Sequence, residues 1–278
     1  MKPLWPCLVA LSFGAPQPSA PDVQEALDHA LSAPHDATVF RRLLEALPSD
    51  GEYYVVEGDL LMTDDEVRAY VFSLAGSPRP AQIGPELVMN YFSGKPDMWG
   101  EQERSLTYSI DKLSFPSETA FTAVRTNLAA AAKDWVEACT DCRLSIAEVT
   151  AAAEPGRKRR HFVVRHVETG SYLAAAFFPS YTDKRFVLKV DNSYFTTDFD
   201  RVGVLRHEIG HILGYRHEHI QNIPGCRREA GVWKPLSPYD PHSVMHYFCG
   251  GGGTMKLALS PIDIDSHTKA YSIPGVSR

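Results

Sequence analysis

The sequence predicts an α+β fold, with a sheet domain that begins near residue 96 and a mainly helical region before it. Residues 21–47 place apolar side chains at helical spacings on two stripes, and Pro34 separates the stripes. Beyond residue 96, a strand-like run, a long helix, three more strand-like runs and a second helix follow one another. This order suits a sheet domain of the α+β or the α/β type. The predicted division is residues 1–20, 21–95 and 96–278.

Residues 1–20 predict an export signal. Lys2 precedes an apolar run that is too short to span a bilayer and resembles the central part of a secretory signal peptide, with Ala15 or Ala20 as the cleavage point. Cys7 would suit a lipoprotein signal, but the residues before it are not small. We therefore expect a secreted protein, and the alternative is a disordered start to a cytosolic one.

Before the sheet domain, the sequence predicts an interrupted strand and a capped helix. The run "GEYYVVEGDLLM" resembles a strand and is broken at Gly58 and Asp59. Thr63 predicts the start of a helix, because Glu66 stands three residues later as its capping-box partner. The Pro- and Gly-rich residues 75–85 predict a linker that proteases can cut.

The predicted sheet domain combines strands with helices. "SLTYSI" at residues 105–110 alternates like a strand, and the helix at 121–138 has apolar residues three and four apart, so one of its faces is buried. "HFVVRHV", "YLAAAFF" and "RFVLKVD" predict three further strands. "PIDIDSHTKAY" predicts a helix near the C-terminus.

Composition excludes some classes of partner. A net charge of −6 gives no basic footprint for nucleic acid, and no apolar run is long enough to be a transmembrane segment. Apart from the one in the leader, the cysteines number four, and an even count fits disulfides in an exported protein. Three pairings are open, and "CTDC" would alternatively suit half of a metal site. The four are Cys139, Cys142, Cys226 and Cys249.

The stretch "RHEIGHILGYRHEH" at residues 206–219 is dense in titratable groups. His207 and His211 are four apart, so both lie on one face of a helix and can share a metal ion. Gly214 follows and predicts a sharp turn that brings His217 back as a third ligand. The alternative is a set of surface histidines on an amphipathic helix.

Three imidazoles leave Zn²⁺ with an open position, which is typical of a catalytic site rather than a structural one. Glu208 lies one residue round from the first ligand, where it can bind a water molecule without occupying the metal. It is therefore the candidate general base and acid, and amide hydrolysis is the predicted reaction.

"HEIGHILGYRH" followed by "SVMHY" resembles the metzincin zinc metalloendopeptidases, and is most similar to their astacin-like group. The resemblance implies a two-lobed catalytic domain, with a twisted mixed sheet plus helices, behind a mainly helical pro-region. It assigns Met245 to the Met-turn beneath the metal, and Tyr247 to zinc ligation and stabilisation of the oxyanion. Glu218, which follows the third histidine, would pair with the mature amino terminus.

"VVEGDL" resembles the F-x-G-D pro-segment motif of the astacins, with Val56 at the aromatic position. The resemblance implies that Asp59 binds the zinc in a latent zymogen and displaces the catalytic water. The alternative is a plain turn, since Gly-Asp is common in loops.

We therefore expect a secreted, zinc-dependent endopeptidase that is made as a zymogen and takes a protein or peptide substrate in extended form, beneath an edge strand near "AAAFFP". Two alternatives remain: a catalytically silent zinc-containing peptide-binding module of the same fold, and a zinc hydrolase acting on a non-protein amide. His219 is expected to be exposed.

Overall fold

A computed structural model describes most of the chain. The described residues are 20–75, 87–149, 160–181, 185–221, 223–226, 229, 232–236 and 239–272. Almost all of the predicted export signal and of the predicted linker lies outside them.

The N-terminal region contains three helices and a hairpin. Helix α1 is Ala20–Ser32, α2 is Ala37–Ala46 and α3 is Asp64–Ala75, while strands β1 (Tyr54–Val56) and β2 (Leu60–Met62) pair antiparallel. The mainly helical character predicted for this region is therefore present.

Capping residues determine where two of these helices begin. Asp36 accepts hydrogen bonds from two backbone N–H groups in the first turn of α2. Before α3, the Glu66 carboxylate accepts from the Thr63 backbone at 2.8 Å, and the Glu66 N–H donates to the Thr63 hydroxyl at 3.3 Å. The predicted capping box is thus formed.

A five-stranded mixed sheet forms the centre of the C-terminal part. Its strands are β5 (Ser105–Ile110), β6 (Ser145–Glu148), β7 (Arg160–Val167), β8 (Ala174–Ala175) and β9 (Val187–Asp191). They lie in the order β6-β5-β7-β9-β8, and all neighbours are parallel except β8, which lies antiparallel at one edge. The fold is therefore α+β, with a mixed sheet.

Two helices pack together beside this sheet. They are α4 (Glu118–Ala138) and α5 (Arg201–Ile212). Helix α4 buries Val124, Leu128 and Trp135 in the same core as Leu188 and Val190 of the sheet. Burial of one helical face against the sheet is what the spacing of apolar residues predicts.

A smaller antiparallel sheet joins distant parts of the chain. Strand β3 (Val88–Phe92) pairs with β4 (Lys95–Pro96), β10 (Tyr215–Arg216) and β11 (Trp233–Pro235). Residues 88–92, predicted as part of the N-terminal region, therefore pair with the segment that leads to the third histidine.

The last described helix packs against the same core. Helix α6 (Pro261–Ser272) buries Ala270 and Tyr271. Disulfides join Cys139 to Cys142 and Cys226 to Cys249, which resolves the open pairing and excludes the metal half-site for "CTDC". None of the described helices has both the length and the apolar character needed to cross a membrane.

Candidate metal centre

Helix α5 places the first two histidines. Asp200 caps it by accepting from the Gly203 N–H at 2.7 Å, and Leu205, Ile209 and Ile212 are fully buried in the core. These side chains anchor one face of the helix, so His207 and His211 share the other face, as predicted.

The turn after α5 requires glycine. Gly214 has φ +97°, and a Cβ atom at this position would lie 1.9 Å from the carbonyl oxygen of Asp97. The chain therefore reverses closely against that carbonyl, enters the short strand β10, and returns His217 towards α5.

The three histidines converge through their Nε2 atoms. The His217 Nε2 lies 3.1 Å from that of His207 and 3.2 Å from that of His211. The Oδ2 atom of Asp59 faces the same point, at 3.2 Å, 3.5 Å and 3.0 Å from the Nε2 atoms of His207, His211 and His217. All four side chains are buried.

The other ring nitrogens show which atoms carry protons. Each Nδ1 lies against an oxygen that can only accept: His207 against Val244 O at 2.8 Å, and His211 against Tyr215 O at 2.8 Å. His217 Nδ1 lies 2.7 Å from Glu229 Oε1. The Nδ1 atoms are therefore the donors, and in neutral rings the Nε2 lone pairs point at one another.

Three lone pairs and a carboxylate oxygen cannot satisfy one another with hydrogen bonds, so the cluster needs a cation at its centre. Burial opposes a charge on His217, but the carboxylates of Asp59 and Glu229 outweigh burial and raise the pKa of its ring. A proton is the smallest cation that this donor set can hold. Three imidazole nitrogens and one carboxylate also fit Zn²⁺ well.

Glu208 lies beside the cluster without entering it. Its side chain is buried, and its Oε2 atom has no hydrogen-bond partner among the described residues. Burial, together with the nearby charge of Asp59, raises the pKa of this carboxyl well above its usual value. The side chain faces a cleft of about 320 Å³ that extends away from the histidines.

The cleft has both polar and apolar lining residues. Asp59, His207, Glu208 and Tyr247 supply polar side chains. The remaining lining is mainly apolar, which suits the side chains of a polypeptide. It includes Leu173 and Ala174 at the edge of the sheet, together with Phe199, Val204, Phe248 and Leu257.

Tyr247 lies over the histidines, and its predicted role in zinc ligation and oxyanion stabilisation stays a prediction. Its ring centroid is 4.3 Å from that of His217. Its hydroxyl lies 2.6 Å from Asp59 Oδ2 and 3.2 Å from the carbonyl oxygen of Glu57, so both are within hydrogen-bond distance. In this state the hydroxyl binds the N-terminal region.

Met245 lies directly beneath α5. It is fully buried, and a Cβ atom at Gly210 would lie 2.3 Å from its sulfur, so the turn and the helix are in close contact. Asp263 holds this turn: one oxygen accepts from the Ser243 hydroxyl at 2.6 Å and the other from the Val244 N–H at 2.8 Å. The assignment of Met245 to a Met-turn stays a prediction.

The N-terminal region inserts a tight loop into the site. Glu57 and Gly58 both have positive φ, at 59° and 109°, and Asp59 is thereby directed at the histidines. The Glu57 carboxylate forms an ion pair with Arg216 and accepts from the Tyr70 hydroxyl at 2.9 Å. The loop is thus held through Glu57, two residues before Asp59.

Sequence reasoning missed Glu229 and Asp263. For Asp263 a signal existed, since Ser260 and Asp263 form a capping box at the start of α6. Glu229 has no local motif. The expectation for His219 was wrong: it is fully buried, with Nε2 2.8 Å from Glu229, because the segment after the third ligand turns inward.

Glu218 is fully buried, and its N–H donates to the Met245 carbonyl at 2.9 Å. Its pairing with a mature amino terminus stays a prediction. A second group that could hold a metal combines His219, His246 and Cys249, but this cysteine is disulfide-bonded.

No protein-family model matches the chain, and no curated protein matches it. Among solved structures, the chain is similar to two structures of myroilysin. One has 18% identity and a TM-score of 0.45, and covers 63% of this chain and 95% of that one. The other has 14% identity and a TM-score of 0.41, and covers 72% and 98%. At this level the similarity carries no argument about function.

Proposed function

We propose that the protein is a zinc-dependent endopeptidase of the astacin-like metzincin type, made as a latent zymogen. One observation carries this proposal. Three Nε2 atoms lie within 3.5 Å of one carboxylate oxygen, while each Nδ1 donates outward. His207, His211 and His217 would hold the ion, with Asp59 as the fourth ligand of the latent form.

When bound, Zn²⁺ supplies positive charge that polarises a scissile carbonyl and acidifies water. The chain's own residues supply the rest. Glu208 lines the cleft and has an unpartnered carboxylate oxygen, so it would take a proton from water and later pass it to the leaving amine. Because these side chains are buried, bulk water is excluded, and this strengthens the electrostatic interactions of the ion and of Glu208 with the substrate.

Tyr247 has two roles in this proposal. In the latent form its hydroxyl donates to Asp59. Once Asp59 leaves, the same hydroxyl is free to donate to the oxygen of a substrate carbonyl, where negative charge develops during attack. The Tyr247 side chain thereby stabilises the latent form before activation and the developing negative charge on the substrate after it.

Latency also involves the edge of the sheet. Leu60 forms a parallel bridge with Ala176, just beyond β8, so the N-terminal region occupies the edge where an extended polypeptide would add. Cleavage within residues 76–86, followed by release of the N-terminal region, would open both the metal position and this edge. The two disulfides support secretion, since such bonds persist in oxidising compartments.

The experiment compares cut and uncut protein. A recognition sequence for a specific protease is inserted within residues 76–86 of the full chain, and zinc content and hydrolysis of quenched peptides are measured before and after cutting. We expect one zinc per chain and activity that appears on cutting. Glu208→Gln should abolish activity and retain zinc, whereas the exposed control Glu137→Gln should change neither.

Retained activity in Glu208→Gln, or a chain that binds no zinc, would refute the proposal. Zinc binding without hydrolysis of any peptide by the cut protein would favour the silent peptide-binding module instead. Hydrolysis of a small amide but of no peptide would favour the third candidate, a zinc hydrolase of non-protein amides.

A further inference from the structure

Three cations of the C-terminal part are covered by the N-terminal region, two of them buried and Arg185 with a side chain that is 10% exposed. They are Arg185, Lys189 and Arg216, and each is in contact with acidic side chains from residues 50–66. We call them the covered cations.

Lys189 lies on the outer face of the large sheet. Its neighbours Leu188 and Val190 face the core, so its own side chain points to the opposite face, in register with Ala175 of the edge strand. Its Nζ lies 2.8 Å from Asp50 Oδ2 and 2.9 Å from a Glu52 oxygen. Although it is a lysine, it is only 4% exposed.

Arg185 lies next to this pair. Its guanidinium forms an ion pair with Glu66 and donates to the carbonyl oxygen of Leu61. It also stacks over two aromatic rings, with its central carbon 4.7 Å from the centroid of Tyr53 and 4.2 Å from that of Tyr181.

Arg216 brings the covered cations close to the metal centre. Its partner Glu57 is two residues before Asp59, a span of at most about 7 Å in an extended chain. A polypeptide on the same path would therefore present an acidic side chain to Arg216 while its backbone passes the histidines.

Charge complementarity indicates what replaces the N-terminal region after its release. Asp50, Glu52, Glu57 and Glu66 match the covered cations, and burying a cation without a counter-charge is costly. The adjacent edge strand carries only the small side chains of Ala174 and Ala175, so a second strand can approach closely.

We propose that the covered cations form a docking surface for an acidic segment of the polypeptide substrate. This inference rests on the proposed function, because it requires release of the N-terminal region and peptide hydrolysis in the cleft. The segment lies over the outer face beside β8, and its carboxylates take the positions of Asp50, Glu52 and Glu57.

The test uses the cut full-length protein and two peptides with the same cleavable centre. In one, a flanking segment contains four glutamates, and in the other these are glutamines; the pair is made with the segment on either side of the centre. We expect kcat/KM about tenfold higher for a glutamate peptide at low salt, and expect 0.5 M NaCl to remove most of this preference.

The preference should fall severalfold in Lys189→Ala and in Arg185→Ala, while the glutamine peptide is cleaved at the wild-type rate. Lys133→Ala, which removes an exposed lysine from α4, is the matched control and should keep the full preference. If a variant fails to fold, the wild-type protein still tests the docking surface, because its preference for the glutamate peptide should be lost at high salt.

Equal cleavage of both peptides in either orientation, or a preference that Lys189→Ala and Arg185→Ala leave unchanged, would overturn the docking surface but not the peptidase. Absence of cleavage of every peptide would instead refute the proposed function, and the docking surface with it.

Discussion

Replacing Gly58 by alanine should partly activate the uncut protein. This glycine has φ +109°, and an L-residue at positive φ costs about 1–2 kcal/mol. A Cβ atom there would also lie 2.8 Å from the Tyr247 oxygen, so either the loop or the Tyr247 side chain must shift. Both effects act on the latent form, in which Asp59 faces the histidines.

A cost of about 1–2 kcal/mol raises the population of the open form about five- to thirtyfold, because 1.4 kcal/mol corresponds to a factor of ten. The steric contact adds to this. The assay is the initial rate of peptide hydrolysis by uncut, zinc-loaded Gly58→Ala relative to uncut wild type. After cutting and removal of the N-terminal region, the two proteins should have the same kcat/KM.

Gly94 provides the control. It has φ +77°, and no other atom of the described residues beyond its chain neighbours lies within 4 Å of a Cβ built on it. Gly94→Ala should therefore carry a similar backbone cost and lower the thermal midpoint, without a gain in uncut activity. The prediction is contradicted if folded, zinc-loaded Gly58→Ala hydrolyses peptide no faster than wild type while uncut. It is also contradicted if uncut Gly94→Ala shows an equal increase in rate.

Three further predictions concern metal binding and stability. Glu229→Gln should weaken zinc binding about 10- to 100-fold by chelator competition, because the carboxylate orients His217 and increases its basicity; an unchanged affinity would contradict this. Partial burial opposes ionisation of Asp50, but hydrogen bonds from the Lys189 ammonium and from backbone N–H groups outweigh burial and lower the pKa of this carboxyl. The contribution of Asp50 to stability is therefore full above about pH 4 and is lost as the pH falls further. Asp50→Asn should therefore lower the thermal midpoint at pH 7, and should lower it progressively less as the pH falls below 4. An equal loss of thermal midpoint at pH 7 and below pH 4 would contradict an ionised Asp50 as the partner of Lys189. Replacing Cys226 and Cys249 by serine should lower the free energy of unfolding by about 3 kcal/mol in denaturant titrations, more than loss of the other bridge, because their sequence separation is 23 rather than 3.

Local patterns predicted the parts of the site that lie within a few residues of one another. Spacings of four and six residues place His211 relative to His207 and His217, and the glycine between the last two has the positive φ that the turn needs. The helices and most strands of the large sheet follow from apolar periodicity for the same reason, since periodicity records which face is buried.

Contacts between distant segments could not be predicted in this way. The ion pair of Glu57 with Arg216 joins residues 159 apart, and the pairing of β3 with β10 joins segments more than a hundred residues apart. Neither has a spacing that a sequence window can show. Glu229 contacts His217 through a segment that has no regular periodicity, so its role became visible only in the fold.

The hydrogen bonds beneath α5 link the candidate metal centre to helix α6. His207 donates to Val244, whose N–H donates to Asp263 on the last helix. A ribosome must therefore synthesise the chain at least as far as Asp263 before His207 can be oriented in this way. Chains that end ahead of residue 261 would lack this support, so a truncated translation product could not hold His207 in the arrangement described.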